Sequence, residues 1–170
     1  MNLIVAVDEN WAIGNKGDLL ARVRADLKNF KAVTDGKVVI LGSNTLATFP
    51  KGKVLPNRVN IVLHPSPEYS PEGAIVAHSI EETLEIVSKY DTRDVFIIGG
   101  ASIYRQFLPY CDRAYITKFI KAYEADVSIP NLDESDEWEC IFESAMMQSD
   151  PATDTEAGLA FRFCEYRRKK

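Results

Sequence analysis

Short runs of apolar residues recur through the first part of the chain and predict its strands. They lie at residues 3–7, 37–41, 59–63, 74–77 and 94–98 and are rich in Val and Ile. The runs barely alternate with polar residues, which is typical of strands that are covered on both faces of a parallel sheet. Helical patterns separate several of the runs. This βαβα order predicts an α/β domain with a mostly parallel, doubly wound sheet.

Two of the intervening helices have recognisable ends. Ser79 and Glu82 form a capping box, with Ser79 at the N-cap and Glu82 at the third helical position. A second short helix is predicted over residues 102–108, where Pro109 ends it.

The part of the chain beyond these helices has a different pattern. Residues 138–143 and 159–166 alternate or nearly alternate between apolar and polar, and a polar link over 149–158 separates them. This predicts a hairpin with a long loop that adds an antiparallel edge to the sheet. A proline-rich stretch at 65–71 is a predicted surface loop, and no linker divides the chain, so residues 1–170 are expected to form a single domain.

The connection after the first predicted strand is long. Residues 8–22 include a glycine-rich polar stretch at 14–18 and precede a predicted helix. Long structureless loops in small domains are commonly lids or binding loops. On length alone, a passive surface loop is an equally good interpretation.

Asp26 is the most informative charged residue. Leu27, Phe30 and Val33 predict the buried face of the helix that follows the long loop, and Asp26 lies beside that face. A carboxylate against an apolar wall is costly to keep charged, so it needs a partner or a function. The alternative is a solvated acid in the first helical turn, where it interacts favourably with the helix dipole.

Composition and charge exclude several classes of protein. The 170 residues are 46% hydrophobic and 26% charged, with a net charge of −5 and a pI of about 5.1. The acidic balance argues against nucleic-acid or anionic-membrane binding. Cys111, Cys140 and Cys164 have no metal-ligand spacing and are expected to be reduced thiols, and no metal site is predicted. Without a signal peptide or a membrane span, a cytoplasmic location is expected.

Glycines mark two junctions between a predicted strand and a helix. Gly42 precedes Ser43, Asn44 and Thr45, and the pair 99–100 precedes a helix that begins near Ser102. Glycine lets a pyrophosphate approach the backbone, and a helix N-terminus offers N–H donors, here with Thr45 and Ser102 as cap-type donors. Neither junction has the GxGxxG pattern, and a tight turn explains either one equally well.

Six blocks of sequence lie at residues 12–19, 25–31, 41–45, 55–63, 97–104 and 115–117. In their order and spacing, they resemble the dihydrofolate reductase family over nearly the whole chain. The resemblance implies an eight-stranded, mostly parallel twisted sheet with an antiparallel C-terminal strand and about four helices. It also implies a monomer that reduces 7,8-dihydrofolate to 5,6,7,8-tetrahydrofolate with NADPH and binds antifolates such as methotrexate or trimethoprim.

The resemblance also implies roles for individual residues in substrate binding. Asp26 matches the acid that binds the amidine edge of the pterin and promotes protonation at N5. Thr117 matches the hydroxyl that fixes this acid, and Arg58 matches the arginine that binds the α-carboxylate of the glutamate tail. The remaining substrate contacts match Ile4, Val5, Leu27, Phe30, Phe49, Leu55, Ile98 and Tyr104.

The resemblance also implies contacts with the cofactor. Gly99 and Gly100 match a pair that is joined by a cis peptide bond in this family. The full set of matching positions is Ala6, Ile13, Gly14, Leu19, Gly42, Ser43, Asn44, Thr45, Leu63, His64, Gly99, Gly100, Ala101, Ser102, Ile103 and Tyr104.

The chain departs from the family pattern in the segment before Asp26. Leu20–Ala21 stands where Pro-Trp is usual, and Arg24 stands where a proline is usual. An Arg24 side chain near Asp26 is expected to depress the pKa of that carboxyl.

Two further departures concern cofactor choice. Ser43 and Ser102 replace the two arginines that bind the 2′-phosphate of NADPH, so weaker discrimination between NADPH and NADH is predicted. His64 and His78 lie near the expected adenosine site and could substitute in part, although a histidine at a strand end is more often a surface residue.

Two alternatives to folate reduction remain open at this point. One is a pteridine- or pyrimidine-type reductase of the same fold, such as the reductase domain of riboflavin synthesis. The other is a non-catalytic pterin- or nucleotide-binding module, which the missing tryptophan and arginines suggest. Asp26, Phe30 and Arg58 together favour folate, because a ribityl-phosphate substrate has no glutamate tail.

Overall fold

The computed structural model describes residues 1–170 and contains four α-helices and twelve strands. The helices are α1 Arg24–Thr34, α2 Ser43–Ala47, α3 Ile80–Val87 and α4 Ala101–Phe107. The strands are β1 Asn2–Val7, β2 Ala12–Asn15, β3 Asp18–Leu19, β4 Val38–Gly42, β5 Val59–Leu63, β6 Ala74–Ala77, β7 Val95–Gly99, β8 Arg113–Phe119, β9 Val127–Ser128, β10 Trp138–Glu143, β11 Met147–Gln148 and β12 Ala160–Arg168. None of the helices is both long enough and apolar enough to cross a membrane.

The chain folds into two compact units. The first unit comprises Met1–Leu3 and Thr34–Cys111, and its strands follow the order β1-β7-β4-β5-β6. All of these neighbours pair in parallel, for example Leu3 with Ile97 and Ile40 with Ile61. Ile40, Ile61 and Ile97 are fully buried, as the unbroken apolar runs predicted. The parallel part of the sheet is therefore confirmed.

The second unit comprises Ile4–Val33 and Asp112–Lys170, and its strands follow the order β10-β12-β8-β1. Strand β12 pairs antiparallel with both β8 and β10, which confirms the predicted antiparallel C-terminal edge. The short strand β11 also pairs with β12, so the main sheet has nine strands rather than the eight expected. The prediction that residues 1–170 form a single domain stays a prediction.

The long connection after β1 is not structureless. Residues 8–22 contain β2 and β3. Strand β2 pairs antiparallel with both β3 and β9 and is the central strand of a separate three-stranded sheet. The prediction of an irregular loop was wrong because these strands have two to four residues. Runs that short carry no periodicity, and a distant partner strand stabilises them.

The prediction that Leu27, Phe30 and Val33 form a buried face of α1 was also wrong. Thr34 is the buried residue of this helix, whereas Phe30 and Val33 are half-buried and the Leu27 side chain is 45% exposed. The apolar stripe of α1 is therefore only partly covered by protein. An apolar surface that is left open beside a carboxylate suits a bound ligand.

Candidate active site

Asp26 lies in the first turn of α1, beside strand β8. Its carboxylate Oδ1 accepts a hydrogen bond of 2.6 Å from the hydroxyl of Thr117, a residue of β8 that is only 5% exposed. Burial raises the pKa of Asp26, and the Thr117 hydrogen bond opposes part of that increase. The expectation that Arg24 depresses this pKa was wrong, because the Arg24 side chain is exposed and makes no contribution to the shift.

The apolar positions of the second unit that were predicted to contact substrate differ in their burial. Ile4 is buried in β1, and Val5 is half-buried beside it. On α1, Phe30 is half-buried and Leu27 is exposed. Leu27 and Phe30 thus combine solvent access with apolar surface next to Asp26 in the helix. A flat heterocycle that is bound by the carboxylate would find apolar contacts there.

The β2–β3 hairpin carries Ile13, Gly14 and Leu19, and β9 helps to hold it. The backbone N–H of Asp126 donates to the carbonyl of Gly14 at 3.1 Å, and the Asp126 carboxylate accepts from the N–H of Lys16 at 2.9 Å. A side chain at Gly14 would lie 2.9 Å from the carbonyl oxygen of Asp18, so only glycine fits there. Leu19 is 51% exposed at the end of the hairpin.

Ala21 occupies the position where the family resemblance implies tryptophan. It is buried in an apolar cluster with Val23, Phe119, Leu159 and Phe161, and Ala6 packs against the same cluster. The small side chain is therefore part of the core of the second unit. It cannot donate the hydrogen bond that an indole would supply.

In the first unit, the two glycine junctions lie side by side. Leu41 of β4 pairs with Gly99 of β7, so both strands end at the same edge of the sheet. The peptide bond between Gly99 and Gly100 is cis, as the resemblance implied. A Cβ at Gly100 would lie 3.2 Å from Thr45 Oγ1, and a Cβ at Gly99 would lie 3.4 Å from the hydroxyl of Tyr104. The missing side chains keep this backbone accessible.

Thr45 and Ser102 are not the N-cap residues of α2 and α4. Gly42 is the N-cap of α2 and Gly100 is the N-cap of α4, and neither has a side chain that could accept a capping hydrogen bond. Thr45 lies within α2, and the hydroxyl of Ser102 in α4 accepts a hydrogen bond of 2.7 Å from Gln106. Helix α4 begins one residue before the start at Ser102 that the sequence predicts, and the role of Thr45 and Ser102 as donors to a ligand stays a prediction.

Two histidines line a cavity of about 230 Å³ in the first unit, at the ends of β5 and β6. His64 Nδ1 accepts from the backbone N–H of Ser66 at 3.0 Å, and the ring stacks on Tyr69 with 4.3 Å between centroids. His78 Nδ1 lies 2.9 Å from the carbonyl oxygen of His64, and the backbone N–H of His78 donates to Glu82. The other lining residues are Leu63, Pro65, Ser79, Ile80, Ile103 and Gln106.

These hydrogen bonds determine which ring nitrogens carry hydrogen. His64 Nδ1 accepts, so its neutral ring carries the proton on Nε2. His78 Nδ1 faces a carbonyl, which only accepts, so that nitrogen carries the proton and Nε2 of the neutral ring is an acceptor. The neutral pair can therefore offer one remaining donor and one remaining acceptor.

Arg58 is held at the end of α1 by residues of its own unit. Its Nε donates to the hydroxyl of Thr34 at 2.9 Å, and its Nη1 donates to the carbonyl of Pro56 at 2.8 Å. Burial lowers the pKa of Arg58, and the Asp35 carboxylate opposes part of that decrease. A guanidinium fixed at two nitrogens is well oriented to bind a carboxylate.

Three further residues of the first unit are predicted to contact substrate, namely Leu55, Phe49 and Ile98. Leu55 is half-buried, and its backbone exchanges two hydrogen bonds with the side chain of buried Asn60, at 3.0 and 2.9 Å. Phe49 is half-buried, and Ile98 is buried in β7.

Two acidic residues that hold the segment around Asp26 and the β2–β3 hairpin were missed in the sequence. Asp126 binds the backbone of Lys16, and Asp154 binds the backbone of Arg24 at 2.8 Å. They are 110 and 130 residues from their partners. The sequence offered one weak indication of their role: each aspartate lies in a segment for which no other function was predicted.

The features of each unit define a class of protein. In the first unit, parallel strands that end in glycines are typical of an α/β protein that binds a ligand at this edge of the sheet. In the second unit, a half-buried carboxylate of raised pKa is typical of an enzyme active site.

Comparison with known proteins gives the family. The dihydrofolate reductase family model matches residues 1–168, so the chain belongs to the dihydrofolate reductase family. It is 37% identical over 141 residues to a dihydrofolate reductase of Bacillus subtilis strain 168, covering 83% of this chain and 81% of that one. It is 31% identical over 182 residues to a dihydrofolate reductase of Sus scrofa, covering 98% and 96%.

A solved structure supports the same assignment. A dihydrofolate reductase from Enterococcus faecalis, complexed with NADP(H) and RAB-propyl, is 33% identical to this chain and has a TM-score of 0.80. The match covers 99% of this chain and 96% of that chain.

Proposed function

We propose that this protein reduces 7,8-dihydrofolate to 5,6,7,8-tetrahydrofolate with NADPH, and that Asp26 is the catalytic acid. Tetrahydrofolate differs from dihydrofolate by one hydride and one proton, which add to C6 and N5 of the pterin respectively, and the hydride is the one that NADPH loses as it becomes NADP⁺. Family membership supports the reaction. The observation that carries the role of Asp26 is its hydrogen-bonded carboxylate of raised pKa on a helix with an open apolar face.

In this proposal Asp26 binds the amidine edge of the pterin and promotes protonation of N5. A carboxylate can accept two parallel hydrogen bonds from a planar pair of donors. The Thr117 hydroxyl binds Oδ1 and so fixes the orientation of the carboxylate. The raised pKa makes the acid form more available near neutral pH than for an ordinary aspartate, which suits a group that promotes proton transfer.

Arg58 is proposed to bind the α-carboxylate of the glutamate tail. Its bonds to Thr34 and Pro56 orient the guanidinium before substrate binds, which reduces the entropy lost on binding. This assignment favours folate over the substrates of pteridine- or pyrimidine-type reductases that lack a glutamate tail.

The residues of the first unit fit a nicotinamide dinucleotide. Gly42, Gly99 and Gly100 leave the backbone open where Cβ atoms would otherwise approach Ile103, Tyr104 and Thr45. When bound, NADPH supplies the hydride. The family resemblance assigns Thr45 and the glycine junctions to the pyrophosphate, and Ala6, Ile13, Gly14, Leu19 and Tyr104 to the nicotinamide end.

NADH is proposed to be an acceptable second cofactor. Ser43 and Ser102 lack the guanidinium that binds a 2′-phosphate, and the Ser102 hydroxyl already accepts from Gln106. The remaining donor on His64 and acceptor on His78 suit a ribose 2′-hydroxyl, which both donates and accepts.

Steady-state kinetics with both cofactors test this proposal, and a preference for NADPH of several orders of magnitude would contradict it. The double substitution Ser43→Arg and Ser102→Arg should increase the preference for NADPH about tenfold or more, because each bidentate arginine–phosphate contact adds a charge-assisted hydrogen-bond pair. Ser88→Arg adds one arginine at an exposed position beyond α3, and it should change neither the KM for NADPH nor the KM for NADH.

A cytoplasmic monomer is also proposed. Cys111, Cys140 and Cys164 form no disulfide, which is usual in a reducing compartment. Burial raises the pKa of the Cys164 thiol to about 11, as expected for a core residue rather than a reactive one. Size-exclusion chromatography at several protein concentrations tests the oligomeric state, and fractionation of the source cells tests the location.

Incubation of the purified protein with NADPH and dihydrofolate tests the reaction itself. Loss of NADPH absorbance with formation of tetrahydrofolate is expected. Tight methotrexate binding with no turnover would instead support a non-catalytic binding module.

A further inference from the structure

The first turn of α1, which carries Asp26, begins without a local cap. Leu27 N–H donates to the carbonyl of Val23 at 3.1 Å, which makes Val23 the N-cap residue. Valine has no side-chain oxygen that could accept from the first helical N–H groups, and it is among the poorest N-cap residues. The first helical residue, Arg24, nevertheless has a partner, because its N–H donates to Asp154 Oδ1 at 2.8 Å.

Asp154 belongs to the loop between β11 and β12, and hydrogen bonds hold this loop in place. The second carboxylate oxygen of Asp154 accepts from the N–H of Asp150 at 2.6 Å. The next residue, Thr155, accepts from Arg22 N–H at 3.0 Å and donates its own N–H to the Arg22 carbonyl at 3.2 Å. Glu156 binds Lys121 and the hydroxyl of Tyr123. The loop is therefore attached both to the segment before α1 and to the end of β8.

We propose that Asp154 is a positioning residue for the reaction, which holds the first turn of α1, and with it the Asp26 carboxylate, in the conformation that binds substrate. This proposal rests on the proposed function of Asp26. Asp154 does not contact the reacting atoms; it acts through the backbone of Arg24. The hydrogen bonds from Arg24 and Asp150 hold the pKa of Asp154 below its usual range, so the acceptor stays charged.

The residue type at position 24 makes this contact necessary. Proline is favoured at the first helical position, because it has no N–H to satisfy and its fixed φ suits the helix. Arginine at this position has an N–H, so it needs an acceptor, and Asp154 supplies one. The structure thus couples the two residues: Asp154 is needed because residue 24 is not proline.

Loss of this cap should affect binding more than turnover. When only a fraction of molecules has the competent conformation, the apparent dissociation constant increases in inverse proportion to that fraction. Saturating substrate selects the competent conformation, so kcat is largely retained. A typical N-cap deletion changes such an equilibrium by a factor of about two to thirty.

The first test uses Asp154→Ala. The KM for dihydrofolate and the Kd of methotrexate, measured by protein fluorescence, should each increase about fivefold to tenfold, with kcat within about twofold of the parent. Hydrogen exchange of the Leu27 amide should become faster by a similar factor. Asp154→Asn should recover part of the affinity, because its amide oxygen can still accept from Arg24 while its NH₂ group cannot accept from Asp150.

The second test uses Arg24→Pro, which removes the donor. In this background Asp154→Ala should leave KM and Kd within about twofold of their values in the single Arg24→Pro variant. Asp136→Ala removes another exposed carboxylate and serves as the control. It should leave KM, Kd and the exchange of the Leu27 amide unchanged.

Two results would overturn the proposal. One is a lower melting temperature for Asp154→Ala with unchanged KM, unchanged Kd and unchanged Leu27 exchange, which would indicate a merely structural role. The other is an Arg24→Pro/Asp154→Ala protein that is as impaired as Asp154→Ala alone. If the parent protein does not reduce dihydrofolate, the proposed function fails, and Leu27 exchange still tests the cap.

Discussion

At the scale of single residues, the catalytic role that we propose for Asp26 is accompanied by a cost in stability. Its raised pKa means that the folded protein binds this proton more tightly than the unfolded chain does. The contribution of Asp26 to the free energy of unfolding is fully present below pH 3.8, the pKa of this carboxyl in the unfolded chain. It is lost as the pH increases through the higher pKa of Asp26 in the folded protein. At neutral pH the ionised, partly desolvated carboxylate therefore destabilises the fold relative to a neutral side chain.

Asp26→Asn should separate these two effects. We expect turnover of dihydrofolate near pH 7 to decrease by about a hundredfold or more, because the amide cannot hold the charged pairing or promote proton transfer. We also expect a larger free energy of unfolding in urea at pH 7 than in the parent protein, since the amide oxygen can still accept from Thr117.

The stability advantage of Asp26→Asn should disappear near pH 3, where Asp26 is protonated in both states. Asp136→Asn is the matched control, because it changes an exposed aspartate. Near-native turnover by Asp26→Asn would mean that the catalytic acid has been wrongly assigned.

Thr117→Val tests the hydrogen bond from the Thr117 hydroxyl to Asp26, which opposes the increase in the pKa of Asp26. The Thr117 hydroxyl stabilises the ionised carboxylate and lowers its pKa, so its removal should raise the pKa of Asp26 further. The pH dependence of kcat/KM should then move to higher pH. Thr83→Val alters another buried threonine, whose hydroxyl binds Ser79, and should leave the pH profile unchanged. A shift to lower pH in Thr117→Val would contradict the assignment.

At the scale of the elements, α3 shows how a capping motif contributes to stability. Ser79 accepts from Glu82 N–H at 3.0 Å, as predicted, while the Glu82 carboxylate binds His78 N–H rather than that of Ser79. Ser79→Ala should lower the free energy of unfolding by about 1 kcal/mol and leave kcat unchanged. Ser88→Ala, at the other end of α3, removes a hydroxyl that donates to the carbonyl of Glu85. It should lower the free energy of unfolding by less than Ser79→Ala does, when both are measured by urea denaturation. Equal losses in both variants would contradict a specific role for the cap.

The length and burial of each element decided whether it could be predicted from the sequence. Strands β4 and β7 are buried on both faces, so their sequences are uniform apolar runs that periodicity detects. Strands β3, β9 and β11 have two residues each, too few for any pattern. Helix α1 was predicted to bury Leu27, which instead stays 45% exposed. Periodicity identifies an apolar face but cannot distinguish a face covered by protein from one that is left for a ligand.

At the scale of the whole molecule, the site could be predicted only in part. The order of six sequence blocks predicted the family, which is confirmed, and it predicted the roles of Asp26, Thr117 and Arg58, which stay predictions. The structure adds the hydrogen bond of 2.6 Å from the Thr117 hydroxyl to the Asp26 carboxylate. No local pattern could indicate Asp154, because its partner at position 24 is 130 residues away. Contacts of that kind follow from the folded backbone rather than from the sequence near either residue.

Calorimetry tests whether residues 1–170 unfold as one cooperative domain, as the sequence predicts. If residues 1–170 unfold as one cooperative domain, a ligand that binds the native state raises the midpoint of the whole transition by an amount set by RT ln(1 + [L]/Kd). Methotrexate alone and NADPH alone should each shift one and the same calorimetric transition to higher temperature. Independent unfolding of the two compact units would instead give two calorimetric transitions, which would contradict the prediction of a single domain.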